Sequence, residues 1–474
     1  MLELKGHEEP AGAARANGVK HGAFKRRQNW LDRRESEASA LGRSVQPYCV
    51  IIGGGQGGIA LGARLKRLGV PTIILEKNAR AGDSWRNRYK SLVLHDPVWY
   101  DHLPYLPFPD HWPVFTPKDQ MGDWLEFYAG IMGLDYWASA ECKRQLRSGR
   151  ARVGGVGRAR TRAAGAASKA AGVRHRIIGP PNELALPGAG RFAGIQYHSS
   201  RHVSGAPFVG KKCVVIGSNT SAHDMCVDLW EHDADVTMVQ RSPTTVVKSE
   251  TLMELGFANL YSEQAARNGM TTEKADLLFA SVPFRLMAGM QIPLYKRIAE
   301  YDAGFYARLG KSGFLLDFGE DGSGLMMKAL RTGSGYYIDV GASELIAAGE
   351  IKLKTGVEPK ELQPGSLVLG DGSTLPADVI IYATGYQPMT ARVARIVSQE
   401  AADRIGPNWG YGSGTRGDPG PWLGELRNMW KPLAHPALWF HGGNLALSRH
   451  YSLYVSLQIK ARMEGLPTPF YAAP

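Results

Sequence analysis

Cysteine is scarce in this 474-residue chain, and its four copies, Cys49, Cys142, Cys213 and Cys226, never form a C-x-x-C pair. That spacing excludes a vicinal redox dithiol and fits a reducing, cytoplasmic setting. Long apolar runs are also missing: no stretch reaches the roughly 20 apolar residues that a membrane-spanning helix needs. The N-terminus is charged from the outset and has no apolar signal region, which argues against secretion. Acidic residues are absent from 143–178, which holds nine Arg and two Lys; this segment supplies +11 of the net charge of +12 and leaves +1 for the rest. The basicity is local, so the body of the protein is not read as a binder of nucleic acid or another polyanion. No metal site is expected.

Glycine, in contrast, recurs in one pattern at two places. The first copy is an apolar run, Tyr48-Cys49-Val50-Ile51-Ile52, followed by Gly53-Gly54-Gly55-Gln56-Gly57-Gly58 and, beyond Thr72-Ile73-Ile74-Leu75, by Glu76 and Lys77. The β-branched run predicts a buried parallel strand. Gly53 permits the tight turn, Gly55 lets the backbone approach a pyrophosphate, and Gly58 lets the helix pack on the strand. The helix that follows aims free N–H groups and its positive dipole end at the phosphates. The second copy runs Cys213-Val214-Val215-Ile216, then Gly217-Ser218-Asn219-Thr220-Ser221-Ala222, and reaches Arg241 and Ser242 after Val236-Thr237-Met238-Val239-Gln240. It is degenerate: Asn219 and Ala222 stand where glycines are usual, so an ordinary strand–turn–helix is the alternative. A carboxylate at the position of Glu76 accepts a hydrogen bond from a ribose 2′-hydroxyl, whereas an Arg suits a 2′-phosphate. One site is therefore expected to hold FAD or NAD and the other NADPH.

The length allows two or three domain cores. The expected architecture is α/β, with two Rossmann-like dinucleotide-binding domains, the second inserted in the first. Residues 1–46 read as a polar leader or linker with a helix near 29–41. Residues 47–207 form the first part of the FAD domain, 208–378 the NADPH domain, and 379–474 the second part of the FAD domain. A helical, substrate-facing insertion is expected near 250–335, strands at 351–357, 366–369, 375–382 and 438–440, and a final helix reaching about residue 464.

Several blocks resemble the class B flavin-containing monooxygenases, nearest to bacterial and fungal relatives of the YUCCA-type indole-3-pyruvate monooxygenases. The resemblance spans roughly 47–142 and 179–474. It rests on Gly82-Asp83-Ser84-Trp85 with Arg86 and Tyr89, on Ser91-Leu92-Val93-Leu94-His95-Asp96-Pro97, and on Phe192-Ala193-Gly194 with His198. The last of these matches the family fingerprint except that His202 replaces its terminal aromatic. Ala383-Thr384-Gly385-Tyr386 matches the linker between nucleotide domains. The resemblance implies FAD, NADPH and O2, with one oxygen atom delivered to a small organic substrate through a flavin C4a-hydroperoxide. The relatives' chemistry is N,N-dimethylaniline-type or indole-3-pyruvate-type monooxygenation. It places Ser84 and Trp85 against the flavin; the alternative for Trp85 is plain core packing. His95 falls where relatives have an Asn near the oxygen-reacting edge; the alternative is a loop histidine satisfied by neighbouring backbone. His198 is expected to shape the inter-domain loop. Gly443 and Asn444, ahead of the last helix, would either face the flavin pyrimidine or form a simple capping turn.

Residues 143–178 depart from the family, where a β-hairpin and an ATG-like motif close the FAD domain. Six large apolar residues could contribute about 1.5–3 kcal/mol each on burial, against about 1–2 kcal/mol per residue to order 36 backbone positions. Disorder or poor packing is the expectation, and a compensated frameshift over 153–158 and 168–179 would explain the lost hairpin; the alternative is a divergent basic loop. The first nine residues resemble an interior stretch of longer relatives that often carry a SnoaL-like domain upstream, which leaves a misassigned start or a truncation open. The rival readings are an NADPH oxidase that releases hydrogen peroxide, and a non-catalytic, degenerate family member.

Overall fold

The computed structural model describes residues 29–142, 151–152, 167–168, 170–175, 179–410 and 426–470. Helix Trp30–Ala40 belongs to a separate N-terminal unit and is capped by Asn29, whose side chain accepts from the Asp32 N–H. The second unit runs from Gly42 onward and contains two five-stranded parallel sheets.

The first sheet has the order Trp439–His441, Ala170–His175, Cys49–Ile52, Thr72–Leu75, Tyr136–Trp137. Its central strand is apolar throughout because both faces are covered. Helix Gln56–Arg67 follows that strand and buries Ile59, Leu61 and Leu65. The final helix, Leu445–Met463, packs against it. Chain from 440 onward therefore completes a module that begins before residue 50.

Ala170–His175 departs from the expectation for 143–178. Its backbone pairs in parallel with Cys49–Ile52 on one side and Trp439–His441 on the other. An interior sheet position satisfies backbone donors and acceptors along both edges, a stabilisation that counting apolar side chains omits. The stretch 153–158, where one frameshift was expected, lies outside the described residues, as does most of 143–169.

The second sheet has the order Lys352–Thr355, Asp235–Gln240, Lys212–Ile216, Val379–Tyr382, Ile195–His198. Ile195–His198, assigned from sequence to the first module, pairs with Val379–Tyr382, and that strand also pairs with Lys212–Ile216. Val379–Tyr382 is buried at every position, which its interior place in the sheet demands. A three-stranded parallel sheet (Thr244–Lys248, Leu316–Asp317, Tyr336–Asp339) and an antiparallel meander (Pro359–Gln363, Ser366–Leu369, Thr374–Pro376) flank the second module. Helices Thr272–Ala280, Phe284–Tyr301 and Ala303–Lys311 lie at the centre of the expected insertion.

Candidate functional site

The first glycine turn has the geometry its residues require. Gly53 adopts φ +107° and donates its N–H to Leu75 O at 2.8 Å. A Cβ on Gly58 would lie 2.1 Å from Gly53 O, so strand and helix meet at a distance only glycine permits. Gly55 is the extended N-cap of helix Gln56–Arg67 and makes no side-chain cap. The first N–H groups of that helix thus lack a side-chain acceptor at the cap. Glu76 is buried; one carboxylate oxygen accepts from Gly54 N at 2.7 Å and the other from Asn78 N at 2.9 Å. Tyr136 OH donates to Gly54 O at 3.0 Å and steadies the same turn. Lys77 beside it is exposed.

Gln56 and Trp85 come together, the indole N–H donating to Gln56 Oε1 at 3.3 Å. The Arg88 guanidinium lies over the Trp85 ring. Ser84 Oγ is buried without a hydrogen-bond partner, an orphaned polar atom beside a nucleotide cradle. His441, at the end of its strand, is fully buried against the Gly57 backbone; burial pushes its pKa down to about 3, which keeps the imidazole neutral. Gly443 (φ +125°) precedes Asn444. Asn444 Oδ1 accepts from Leu447 N at 2.9 Å, capping the last helix, while its Nδ2 donates to Tyr100 OH at 3.0 Å.

The second turn repeats the arrangement. Gly217 has φ +130° and donates to Val239 O at 3.0 Å. A Cβ there would meet Ala383 O at 2.4 Å, so the linker Ala383-Thr384-Gly385 closes on this turn. Asn219 is an extended N-cap without a side-chain bond, starting helix Thr220–Trp230. Ser218 is buried and shares a 2.8 Å hydrogen bond with Thr244. Thr220 Oγ1 donates to Tyr336 O at 3.3 Å, and Ser221 is half-buried. Arg241 follows the strand end with its side chain 69% exposed, 4.0 Å from Glu358. Ser242 is exposed beside it.

His95 lies between the two modules. Its Nε2 is 3.4 Å from Asp224 Oδ1, and Tyr337 presents an edge to its ring at 5.9 Å. Tyr89 OH also donates to Asp224. The His95 partner is therefore a carboxylate on helix Thr220–Trp230, not neighbouring backbone. Burial raises the Asp224 carboxyl and His95 offsets only part of it, so the net shift is upward. His223, next in the chain, is buried and stacks on Tyr337 at 3.9 Å. His198 uses both ring nitrogens on the loop: Nδ1 accepts from Ser200 N at 3.1 Å and Nε2 donates to Gly385 O at 2.9 Å.

Three polar pairings escaped the sequence reading. Asp224 carries no local signal beyond its place in a nucleotide-binding helix. His202 is buried, with Nε2 2.6 Å from Asp228 and Nδ1 2.9 Å from Tyr197 OH. Burial would raise the Asp228 carboxyl, but the His202 hydrogen bond overrides it and the net shift is downward. Arg449, a lone cation on the buried face of the last helix, makes a bidentate pair with Asp276 at 2.8 and 2.7 Å and donates to Tyr100 O at 2.8 Å. Among the described residues, no group of three or more His, Cys, Asp or Glu could hold a metal.

Two glycine cradles with uncapped helix N-termini, one carboxylate-ended and one Arg-ended, define a two-nucleotide flavoprotein. The comparisons agree with that class. The family model "Flavin-binding monooxygenase-like" matches residues 75–259. "Indole-3-pyruvate monooxygenase YUCCA1" of Oryza sativa subsp. japonica is 30% identical over 348 residues, covering 72% of this chain and 77% of the relative. Among solved structures, a flavin-containing monooxygenase from Stenotrophomonas maltophilia has a TM-score of 0.57 at 17% identity, covering 88% of this chain and 99% of its own. OTEMO complexed with FAD and NADP has a TM-score of 0.60 at 15% identity, covering 89% of this chain and 86% of its own. The chain belongs to the flavin-binding monooxygenase-like family. It is an FAD- and NADPH-dependent monooxygenase.

Proposed function

We propose that this monooxygenase oxygenates a small organic substrate, with indole-3-pyruvate the first candidate and amines and sulfides the next. The substrate class is supported by the name of the YUCCA1 relative. The observation that carries the assignment of roles is the junction at Asp224, where Tyr89 and His95 from the flavin-side segment meet the helix of the NADPH cradle.

In this reading Gly53, Gly55, Gln56, Gly58, Glu76, Lys77, Ser84 and Trp85 bind FAD, with Gly443 and Asn444 at its pyrimidine side. Gly217, Ser218, Asn219, Thr220, Ser221, Arg241 and Ser242 bind NADPH, and Thr384 and Gly385 join the two modules. The residues fit both groups: each turn has a close approach that a Cβ would block, and Ser84 Oγ lacks a protein partner. When bound, FAD accepts hydride from NADPH and passes electrons to O2. Glu76, preset by two backbone N–H groups, is oriented to take a ribose hydroxyl, while the exposed Arg241 guanidinium, 4.0 Å from Glu358, would turn to a 2′-phosphate. Asp224 fixes one nitrogen of His95, leaving Nδ1 to hold or move a proton at the reacting edge. The FAD domain is formed by chain on both sides of the inserted NADPH domain. A cytoplasmic setting completes the reading, supported by four cysteines free of disulfides.

The test is to purify the chain, record its flavin spectrum, and follow NADPH, oxygen and peroxide with and without each substrate. The expected result is a yellow protein whose NADPH oxidation rises with substrate while peroxide falls below the NADPH consumed. Peroxide equal to NADPH under every condition would establish the oxidase reading instead. A colourless chain that cannot be reconstituted with FAD would mark a non-catalytic protein.

A further inference from the structure

The helical insertion leaves apolar side chains facing solvent. Helices Thr272–Ala280 and Phe284–Tyr301 are bent by 105° across residues 281–283, and neither is long and apolar enough to cross a membrane alone. Leu277 is 60% exposed on the first; Leu286 and Met290 are 62% and 59% exposed on the second. Leu278 and Ile292 are also exposed on the same two helices. These helices cannot turn the leucines inward, because their other faces are already engaged. Ala275 and Asp276 are buried on the first, with Asp276 held by Arg449; Met287, Tyr295 and Ile298 are buried on the second. Leu286, Met290, Pro293 and Arg297 follow i, i+4, i+7, i+11 spacing and form one stripe.

The charge around the stripe has one dominant sign. Lys274, Arg285, Lys296 and Arg297 are exposed, and no carboxylate occurs between Asp276 and Glu300. Asp276 is neutralised by Arg449, which leaves exposed Glu273 and Glu300 at the ends of the pair. Apolar exposure bordered by cations is the pattern of a helix that lies in a membrane interface.

We propose that this bent helix pair is a peripheral docking face for an anionic lipid bilayer, its leucines and Met290 entering the acyl boundary and its cations resting among acidic headgroups. A second copy of the chain fits less well, because a two-fold contact would set the cations against their own equivalents.

Flotation of the FAD-loaded, full-length protein with phosphatidylcholine vesicles, with and without phosphatidylglycerol, tests this. The expected result is binding to the anionic vesicles that exceeds binding to the neutral ones and weakens with salt. Segment 143–178 is also basic, so anionic binding alone does not decide. The deciding variant is Leu277→Ser with Leu286→Ser and Met290→Ser, which leaves 143–178 intact and is expected to lower binding by about tenfold or more. Arg285→Gln with Lys296→Gln should lower it several-fold. Flavin content and circular dichroism identify any variant that misfolds, and Leu286→Ser alone then serves as a milder probe. No vesicle binding, or binding unchanged in the serine variants, would overturn the proposal. So would a dimer in light scattering that dissociates on Leu286→Ser, which would assign the face to a second copy.

Discussion

Replacing Gly58 by Ala adds one methyl group at the point where the first glycine turn touches its helix. That carbon would sit 2.1 Å from Gly53 O, where ordinary contact begins near 3.4 Å. The opposing atom is backbone, so no rotamer change relieves the clash; the turn or the helix start must retreat by more than an ångström. Overpacking of this kind costs about 1–3 kcal/mol. Without ligand, the turn can move and shed part of the strain. In the proposed assignment, FAD resting on the Gly53–Gly55 backbone would hold the turn in place, so the strain would appear mainly in the bound state. At about 1.4 kcal/mol per decade, FAD affinity should fall roughly 5- to 150-fold. Equilibrium dialysis with FAD fluorescence measures this directly. Gly130→Ala is the matched control: nothing lies within 4 Å of its Cβ, and it is an exposed position in helix Lys118–Ile131. There the same methyl group should be neutral or stabilise by about 0.5–1 kcal/mol. Wild-type FAD affinity in Gly58→Ala, with an unchanged melting temperature, would refute the close-approach argument.

Arg241→Ala should raise the KM for NADPH by about tenfold or more through loss of a charge-assisted phosphate contact, leave NADH unaffected, and barely change melting, since the side chain is exposed. Equal losses for both nucleotides would remove its phosphate role. Asp224→Asn keeps the shape but removes the charge beside His95; the fraction of NADPH lost as peroxide should rise several-fold, with FAD content unchanged. Asp96 gives a pH prediction. Burial raises its carboxyl from 3.8 to about 6, so its contribution favours folding below pH 3.8 and is lost as pH rises through 6. Urea unfolding should therefore show Asp96→Asn gaining about 2–4 kcal/mol on wild type between pH 4 and pH 8; parallel curves would contradict this. Arg449→Met should destabilise by about 3–5 kcal/mol because it strands Asp276 in the interior, and adding Asp276→Leu should recover much of that loss.

The parts legible in the sequence are those whose cause is local. Gly53, Gly58 and Glu76 fall within one strand–turn–helix–strand unit, and each is explained by a neighbour fewer than 25 positions away. Arg241 is legible for the same reason, as it ends the strand after the second turn. Asp224, Asp276 and Asp228 are not, since a carboxylate within an ordinary helical pattern does not announce a partner. Tyr89 and Asp224 are 135 positions apart, and Asp276 and Arg449 are 173. These pairings exist only because the inserted module brings its helices against chain from both sides of the insertion.

Strand Ala170–His175 shows a different limit. Its side chains gave no reason to expect order, yet the sheet has a position between Cys49–Ile52 and Trp439–His441 that a backbone can fill. A parallel strand in an interior place is held along both edges by hydrogen bonds that do not depend on residue type. The two flanking strands are apolar and come from opposite ends of the module, so leaving the gap open would expose both. Demand for the strand therefore arises from its neighbours rather than from its own composition. This bears on the non-catalytic reading, which supposes an FAD site spoiled by residues 143–178. With Ala170–His175 in place, Trp439–His441 is connected to the sheet that carries the Gly53 turn, and the Gly443–Asn444 helix start stands on the same module as Glu76.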